Sequence, residues 1–184
     1  MRQQVKQHNA EGYIPNITIN DMVCLAVIRT PGQYPGVNAH FMGDSLKIFR
    51  NVHLGVAVDT DHGLMVPTMV AADTLTVQEL SSRLKALAEA CRKGNINPDL
   101  LMPESASFKV SNLGNNGVVM FTPIQNLPQL AILGVETILP RPKDLGNGVF
   151  GFVPHIGRSL TYDHRAIDSG VATRFLKVLA LKIE

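Results

Sequence analysis

The chain has 184 residues, enough for one domain with a sizeable core, of which 45% are hydrophobic and 17% charged. A formal net charge of +2 argues against nucleic-acid or anionic-membrane partners, and no apolar run reaches the roughly 18 residues of a membrane-spanning helix. So apolar a chain predicts surface hidden against partner subunits.

Residues 1–15 are polar and lack the apolar segment of a secretory signal. Asn16-Ile-Thr18 spells a glycosylation sequon, a coincidence of letters in an intracellular protein. Thr18-Ile-Asn-Asp21 opens a short helix with Met22, Leu25, Ala26 and Ile28 on one face, and Pro31-Gly32 stops it. Val37–Met42 alternates as a strand, Gly43-Asp44 is a hairpin turn signal, and Leu46–Phe49 is the returning strand. Val52, Leu54, Val56 and Val58 predict a further strand. Leu64–Val70 predicts another, at an edge or a bulge because it contains Pro67. The clearest helix runs from about Val77 to Lys93, with a Thr76/Glu79 capping box, a stripe of Leu80, Leu84, Leu87 and Cys91, and Gly94 to close it. Ala106, Phe108 and Val110 alternate into Ser111-Asn-Leu-Gly114, and strand-like runs follow at Val118–Phe121, Leu130–Val135 and Val149–Thr161. A last helix carries Val171, Phe175, Val178, Leu179 and Ile183 on one face. Interleaved helices and strands with a hairpin predict an α/β (α+β) fold, a mixed sheet with helices packed on it, in one domain. Cys24 and Cys91 lie in helical patterns and read as reduced core residues, in keeping with an intracellular location.

The organising stretch is Ser159-Leu-Thr-Tyr-Asp-His-Arg-Ala-Ile-Asp-Ser-Gly170, where an apolar strand ends in Asp163-His164-Arg165. His164 stands where a strand gives way to a loop, a place where reactive groups are presented on a rigid scaffold. Asp168, four residues on, either organises the loop or caps the last helix. His-x-x-x-Asp in this setting resembles the signature of coenzyme A-dependent acyltransferases. Ser-Leu-Thr-Tyr-Asp-His-Arg165 is similar to the wording of the catalytic domain of the E2 dihydrolipoamide acyltransferases, the core subunits of 2-oxo acid dehydrogenase complexes. Further family words run in order along the chain: Tyr34-Pro-Gly-Val-Asn-Ala39, Gly55-Val-Ala-Val-Asp-Thr60, Gly63-Leu-Met-Val-Pro67, Phe108-Lys-Val-Ser-Asn-Leu-Gly114 and Phe121-Thr-Pro-Ile-Gln-Asn-Leu-Pro-Gln-Leu-Ala-Ile-Leu-Gly-Val135.

The resemblance implies the chloramphenicol acetyltransferase-like fold, in homotrimers whose active sites lie between subunits. It makes residues 1–184 an acyltransferase catalytic domain lacking its N-terminal part, with no lipoyl or subunit-binding domain. Coenzyme A and a lipoyl group carried on a separate domain are the implied substrates, with no metal. The implied partners are the lipoyl domain and the E1 and E3 components, in the bacterial cytoplasm or the mitochondrial matrix. Two departures bear on this. Where the family has glycine after the aspartate, the chain has Ser169 followed by Gly170, so a positive φ at position 169 would strain the serine by about 1–2 kcal/mol unless Gly170 takes over the turn. The chain also ends at Leu181-Lys-Ile-Glu184 without the apolar tail that joins trimers into larger cores, which leaves a higher cubic assembly open.

Thioester exchange needs a deprotonated thiol and a stabilised oxyanion. An alkyl thiol with a pKa near 8.5 is only a few per cent thiolate at neutral pH, whereas an ordinary imidazole, with a pKa of about 6.5, is largely neutral and ready as a base. His164 is the expected general base and Ser111 the expected oxyanion donor; by resemblance the two in one site come from neighbouring subunits. The bland alternatives are a strand-end histidine and a serine bonding its own turn. Asp168 is expected as a loop organiser or an N-cap, Asp163 and Arg165 as an ion-paired frame for the loop, and Asn112 as a substrate-placing group. His155, Asp163, His164 and Asp168 lack metal-ligand spacing, and Gly114-Asn-Asn-Gly117 lacks the lysine of a phosphate loop. His8, His40, His53 and His62 read as surface or strand residues. The sequence thus points to an acyltransferase, acetyl-transferring by its Phe121-Thr-Pro-Ile and Ala131-Ile-Leu-Gly-Val135 words, with two rivals: a trimeric scaffold without turnover, and a stand-alone acyltransferase for another acceptor.

Overall fold

The computed structural model describes residues 17–183; the sequon's Asn16, and His8, lie outside them. Thr18 caps α1 (Ile19–Arg29) through a reciprocal pair, its hydroxyl accepting from the Asp21 amide and the Asp21 carboxylate accepting from its own amide. Buried Asp21 also accepts from the Ser81 hydroxyl at 2.9 Å, tying α1 to α2 (Val77–Arg92). The predicted Thr76/Glu79 box starts α2, and Gly94, at φ +68°, closes it.

The predicted hairpin forms as β1 (Ala39–Phe41) and β2 (Leu46–Ile48), antiparallel with Ala39 opposite Ile48. The single strand expected over Val52–Val58 is instead two: β3 (Leu54–Val56) stays in the main sheet, and β4 (Val58–Thr60) leaves it to pair with β5 (Gly63–Met65). The chain changes partners at this break, Val56 N–H bonding the Pro67 carbonyl and Ala57 N–H the Val110 carbonyl. Pro67 precedes β6 (Thr68–Met69), an edge strand where no second neighbour needs its missing N–H.

The main sheet has the order β6-β3-β7-β8-β9, with β7 (Phe108–Asn112), β8 (Ala131–Asp144) and β9 (Phe150–Tyr162). Strands β3, β7 and β8 are parallel, and β6 and β9 run antiparallel to them, so the sheet is mixed as expected. Leu54, Val56, Phe108, Val110, Leu133 and Val135 share one face and form a single core with α1, α2 and α3 (Ser169–Ile183), whose Phe175 ring packs 5.7 Å from Phe108. Gly55, Lys109, Ser111, Gly134, Ser159 and Thr161 lie on the other face by register.

The strand expected over Val118–Phe121 does not form. Residues 118–123 cross the second sheet face as an irregular strap: the Val118 carbonyl accepts from the Thr137 amide, Ser159 donates to the Phe121 carbonyl and Thr161 to the Pro123 carbonyl, the last two at 2.7 Å. The strap lies so close that a Cβ on Gly134 would stand 2.5 Å from Ser159 Oγ and 3.0 Å from the Phe121 ring. The Leu130–Val135 strand continues instead to Asp144, past a register shift between Val135 and Ile138. Its prolines disguise it. Around Pro140 and Pro142 the strand pairs with β9 alone among the described residues, so both can sit there without an unmet sheet bond.

Candidate active site

Buried leucines anchor β8, and Leu130 O accepts from the Asp163 amide where β9 ends. The Asp163 carbonyl accepts from Ala166 and Ile167 amides, so Asp163-His164-Arg165 is a tight turn, with Ile167 buried beneath it. Arg165 clasps Asp163 through Nε at 2.9 Å and Nη2 at 2.6 Å, and its guanidinium stacks 4.1 Å above the Phe41 ring. The same clasp holds the Asp163 carboxyl below the ordinary carboxylate range. The predicted ion pair therefore ties the turn to the β1–β2 hairpin.

His164 is exposed, with Nε2 3.3 Å from Ser169 Oγ; Ser169 Oγ is in turn 2.8 Å from the Tyr162 hydroxyl. The strain foreseen at Ser169 is absent. Neither Ser169 nor Gly170 has positive φ, so both simply begin α3, and a Cβ on Gly170 would meet nothing closer than 3.4 Å. Asp168 precedes the helix and accepts Val171 and Ala172 amides on its backbone carbonyl; its carboxylate has no hydrogen bond or ion pair among the described residues.

Ser111 is half-buried near the end of β7, opposite Gly134 of β8, its hydroxyl without a hydrogen bond among the described residues. Two residues earlier on the same face, Lys109 is buried, and burial pushes its ammonium pKa down. Asn112 points the other way: it accepts from the Gly114 amide, donates to Asn20 at 2.8 Å, and lines a cleft of about 960 Å³ that includes neither Ser111 nor His164.

Within one protomer Ser111 and His164 are not brought together. Ser111 aligns with Gly134 and Gly134 with Ser159, three residues before Tyr162. Two strand spacings of ~4.8 Å and three residues of ~3.3 Å separate Ser111 from Tyr162 by about 14 Å, and His164 is further on. Of the other histidines, His40 is buried on β1 with Nε2–H donating to the Ala106 carbonyl at 2.7 Å, and His53 Nδ1 accepts from the Ala71 amide. His62 is exposed. Burial pushes the pKa of both His40 and His53 down. Among the described residues no three His, Cys, Asp or Glu side chains gather as a metal site, and no helix is long and apolar enough to cross a membrane. Both cysteines are free and buried, and burial pushes the Cys24 thiol up to about 12. Sequence reasoning passed over Tyr162 and Phe121. Tyr162 lay inside the motif but carried no charge or spacing to single it out, and Phe121 acts across a sheet face that only the register defines.

A helix-backed mixed sheet that presents a histidine beyond one strand and a serine at the end of another has the layout of a coenzyme A-dependent acyltransferase domain. The comparisons with known proteins narrow this. The family model for the 2-oxoacid dehydrogenases acyltransferase catalytic domain matches residues 1–184. The chain belongs to that family. It is 34% identical over 190 residues to the dihydrolipoyllysine-residue acetyltransferase component of the pyruvate dehydrogenase complex of Mycobacterium bovis, covering 100% of this chain and 34% of that protein. It is 36% identical over 159 residues to the succinyltransferase component of the 2-oxoglutarate dehydrogenase complex of Haemophilus influenzae, covering 86% and 38%. The chain thus spans about a third of the length of such relatives.

Among solved structures, the Azotobacter vinelandii dihydrolipoamide acetyltransferase superposes with a TM-score of 0.89 at 31% identity, over 99% of this chain and 75% of that one. That structure was solved to probe a serine, a histidine and an asparagine four positions after the histidine in its catalytic mechanism. The cubic core of a pyruvate dehydrogenase multienzyme complex gives 0.88 at 31% identity, covering 99% and 75%. Chloramphenicol acetyltransferase, at 13% identity and 0.55 over 97% and 82%, shares the fold.

Proposed function

We propose that the chain transfers an acyl group, acetyl in first place, between a dihydrolipoyl group and coenzyme A, as the core of a 2-oxo acid dehydrogenase complex. The observation that supports this most is that both reacting groups stand open in a whole-chain family match: Ser111 with an uncommitted hydroxyl, and His164 exposed at the end of β9. In the reaction, His164 Nε2 takes the proton of the coenzyme A thiol as sulfur attacks the lipoyl thioester carbon. Ser111 donates to the oxyanion of the tetrahedral intermediate. The attack has formed the carbon–sulfur bond to coenzyme A; collapse breaks the acyl–lipoyl bond, and the departing thiolate takes the proton back from His164. The ~14 Å between Ser111 and Tyr162 leaves the two groups to meet across a subunit contact, and the proposed working unit is the homotrimer that the family resemblance implies.

Asp168 belongs to this reading as an organiser, its carboxylate uncommitted among the described residues and available to a neighbour. Asn112 acts at one remove, by shaping the Ser111 turn. The lipoyl domain and the E1 and E3 components are the proposed partners, in an intracellular complex, and cubic assembly is a further proposal suggested by the cubic core that this chain resembles. The acetyl choice rests on the Phe121-Thr-Pro-Ile and Ala131-Ile-Leu-Gly-Val135 words, since relatives of both acyl classes match at similar identity. Turnover of acetyl-dihydrolipoamide with coenzyme A, lost in His164→Ala, is the expected result; an intact trimer with no turnover on acetyl, succinyl or branched-chain donors would leave a scaffold.

A further inference from the structure

The serine that replaces the family glycine is placed where it acts on the proposed base. We infer that Ser169 is a positioning residue which, with Tyr162, holds the His164 ring as the tautomer whose Nε2 is an acceptor; this rests on His164 being the base.

Ser169 Oγ lies 2.8 Å from the Tyr162 hydroxyl and 3.3 Å from His164 Nε2, so three polar groups form one chain. A serine hydroxyl has a single proton and two acceptor lone pairs, so three arrangements are open. In one, Tyr162 donates to Ser169 and Ser169 donates to Nε2, leaving the ring proton on Nδ1. In the other two, Nε2–H donates to Ser169, which either donates to the phenol or accepts from it as well and donates to solvent; both block Nε2 as a base. A phenol is the more acidic hydroxyl, and an imidazole nitrogen is a better acceptor than a phenol oxygen. Bonds in a chain polarise one another, so the sense from strongest donor to strongest acceptor is favoured. That sense is the base-competent one.

The backbone fixes both members. Tyr162 is the last residue of β9, its partner Ala131 buried in the core. Ser169 opens α3 and accepts on its carbonyl from Thr173 Oγ1 at 2.8 Å. The Tyr162 and His164 rings lie 5.7 Å apart. At 3.3 Å the bond to Nε2 is at the long end of hydrogen bonding, so an incoming thiol can take it over. A glycine at position 169 could set neither the tautomer nor the ring's orientation.

The test uses the full chain in its assembled state, with Ser169→Ala, Ser169→Thr, Tyr162→Phe and the Tyr162→Phe/Ser169→Ala double variant. Ring ¹⁵N shifts of His164 in ¹⁵N-histidine-labelled protein, assigned by the resonance missing in His164→Gln, report the tautomer whether or not the enzyme turns over. The inference expects Nε2 unprotonated in the parent and in Ser169→Thr, and a mixture in Ser169→Ala. It also expects kcat to fall about three- to tenfold in Ser169→Ala with KM little changed, a loss typical of one hydrogen bond. Tyr162→Phe should add little to Ser169→Ala, because both act through one chain. Identical ring shifts in the parent and Ser169→Ala, or additive losses in the double variant, would overturn it. Retained activity in His164→Ala would instead remove His164 as the base, while the ring shifts still decide what Ser169 does.

Discussion

The two proposed reacting groups are held in opposite ways. Ser111 is set by the whole fold: it belongs to the central strand β7, between β3 and β8, with buried Phe108 and Val110 packing the helices behind it. His164 is set locally, on an exposed turn fastened by the Asp163–Arg165 clasp, the stacking of Arg165 on Phe41 and the Ser169 hydroxyl. In the proposed reaction the sheet centre would supply a rigid oxyanion donor, and the turn a base that can adjust to a thiol. Such a division suits a site closed by two protomers, since each brings one finished half.

The sharpest way to break this comparison is to remove each half. His164→Ala is expected to lower kcat about 10²–10⁴-fold and Ser111→Ala about 10²–10³-fold, with fold and assembly intact by circular dichroism and gel filtration. The sheet centre should then show its dependence on packing. Phe175→Ala, which empties a fully buried site between Tyr34 and Phe108, should cost about 3–5 kcal/mol in urea unfolding.

Two sets of groups also differ in the pH at which their contribution to stability is lost. The folded pKa of His40 and of His53 lies below the ordinary 6.5, so the unfolded chain takes these protons first, and stability is lost as pH falls below about 6.5. The Asp163 carboxyl, held below its ordinary 3.8, loses its contribution only as pH falls below that value. Urea midpoints should therefore drop between pH 7 and pH 5, and His40→Asn should flatten that drop. The smallest expected effect is that of Arg165→Ala. It loosens an exposed clasp, so the unfolding midpoint should barely move while kcat falls severalfold.

Much of this was legible in the sequence, and for physical reasons. Capping boxes are local, so Thr18/Asp21 and Thr76/Glu79 announced α1 and α2; strict alternation announced β3 and β7. What failed was non-local. Val118–Phe121 is as apolar as a strand, but its Val118 carbonyl goes to the Thr137 amide and its Phe121 carbonyl to the Ser159 hydroxyl, 38 residues on. The outer half of β8 was hidden by prolines that are tolerated because it pairs there with β9 alone among the described residues. The histidine could be read from its motif, but its bond to Ser169 depends on how α3 begins, and position 169 had been read as a question of backbone strain. The separation of Ser111 from His164 was reachable through the resemblance alone, because strand order does not follow from a sequence pattern.

The most direct test of the account is to mix His164→Ala and Ser111→Ala chains after dissociation and let them reassemble. Sites shared between neighbours predict that mixed trimers regain turnover, since some contacts pair an intact Ser111 with an intact His164. Mixed trimers as inactive as either parent, with exchange of chains verified, would contradict it.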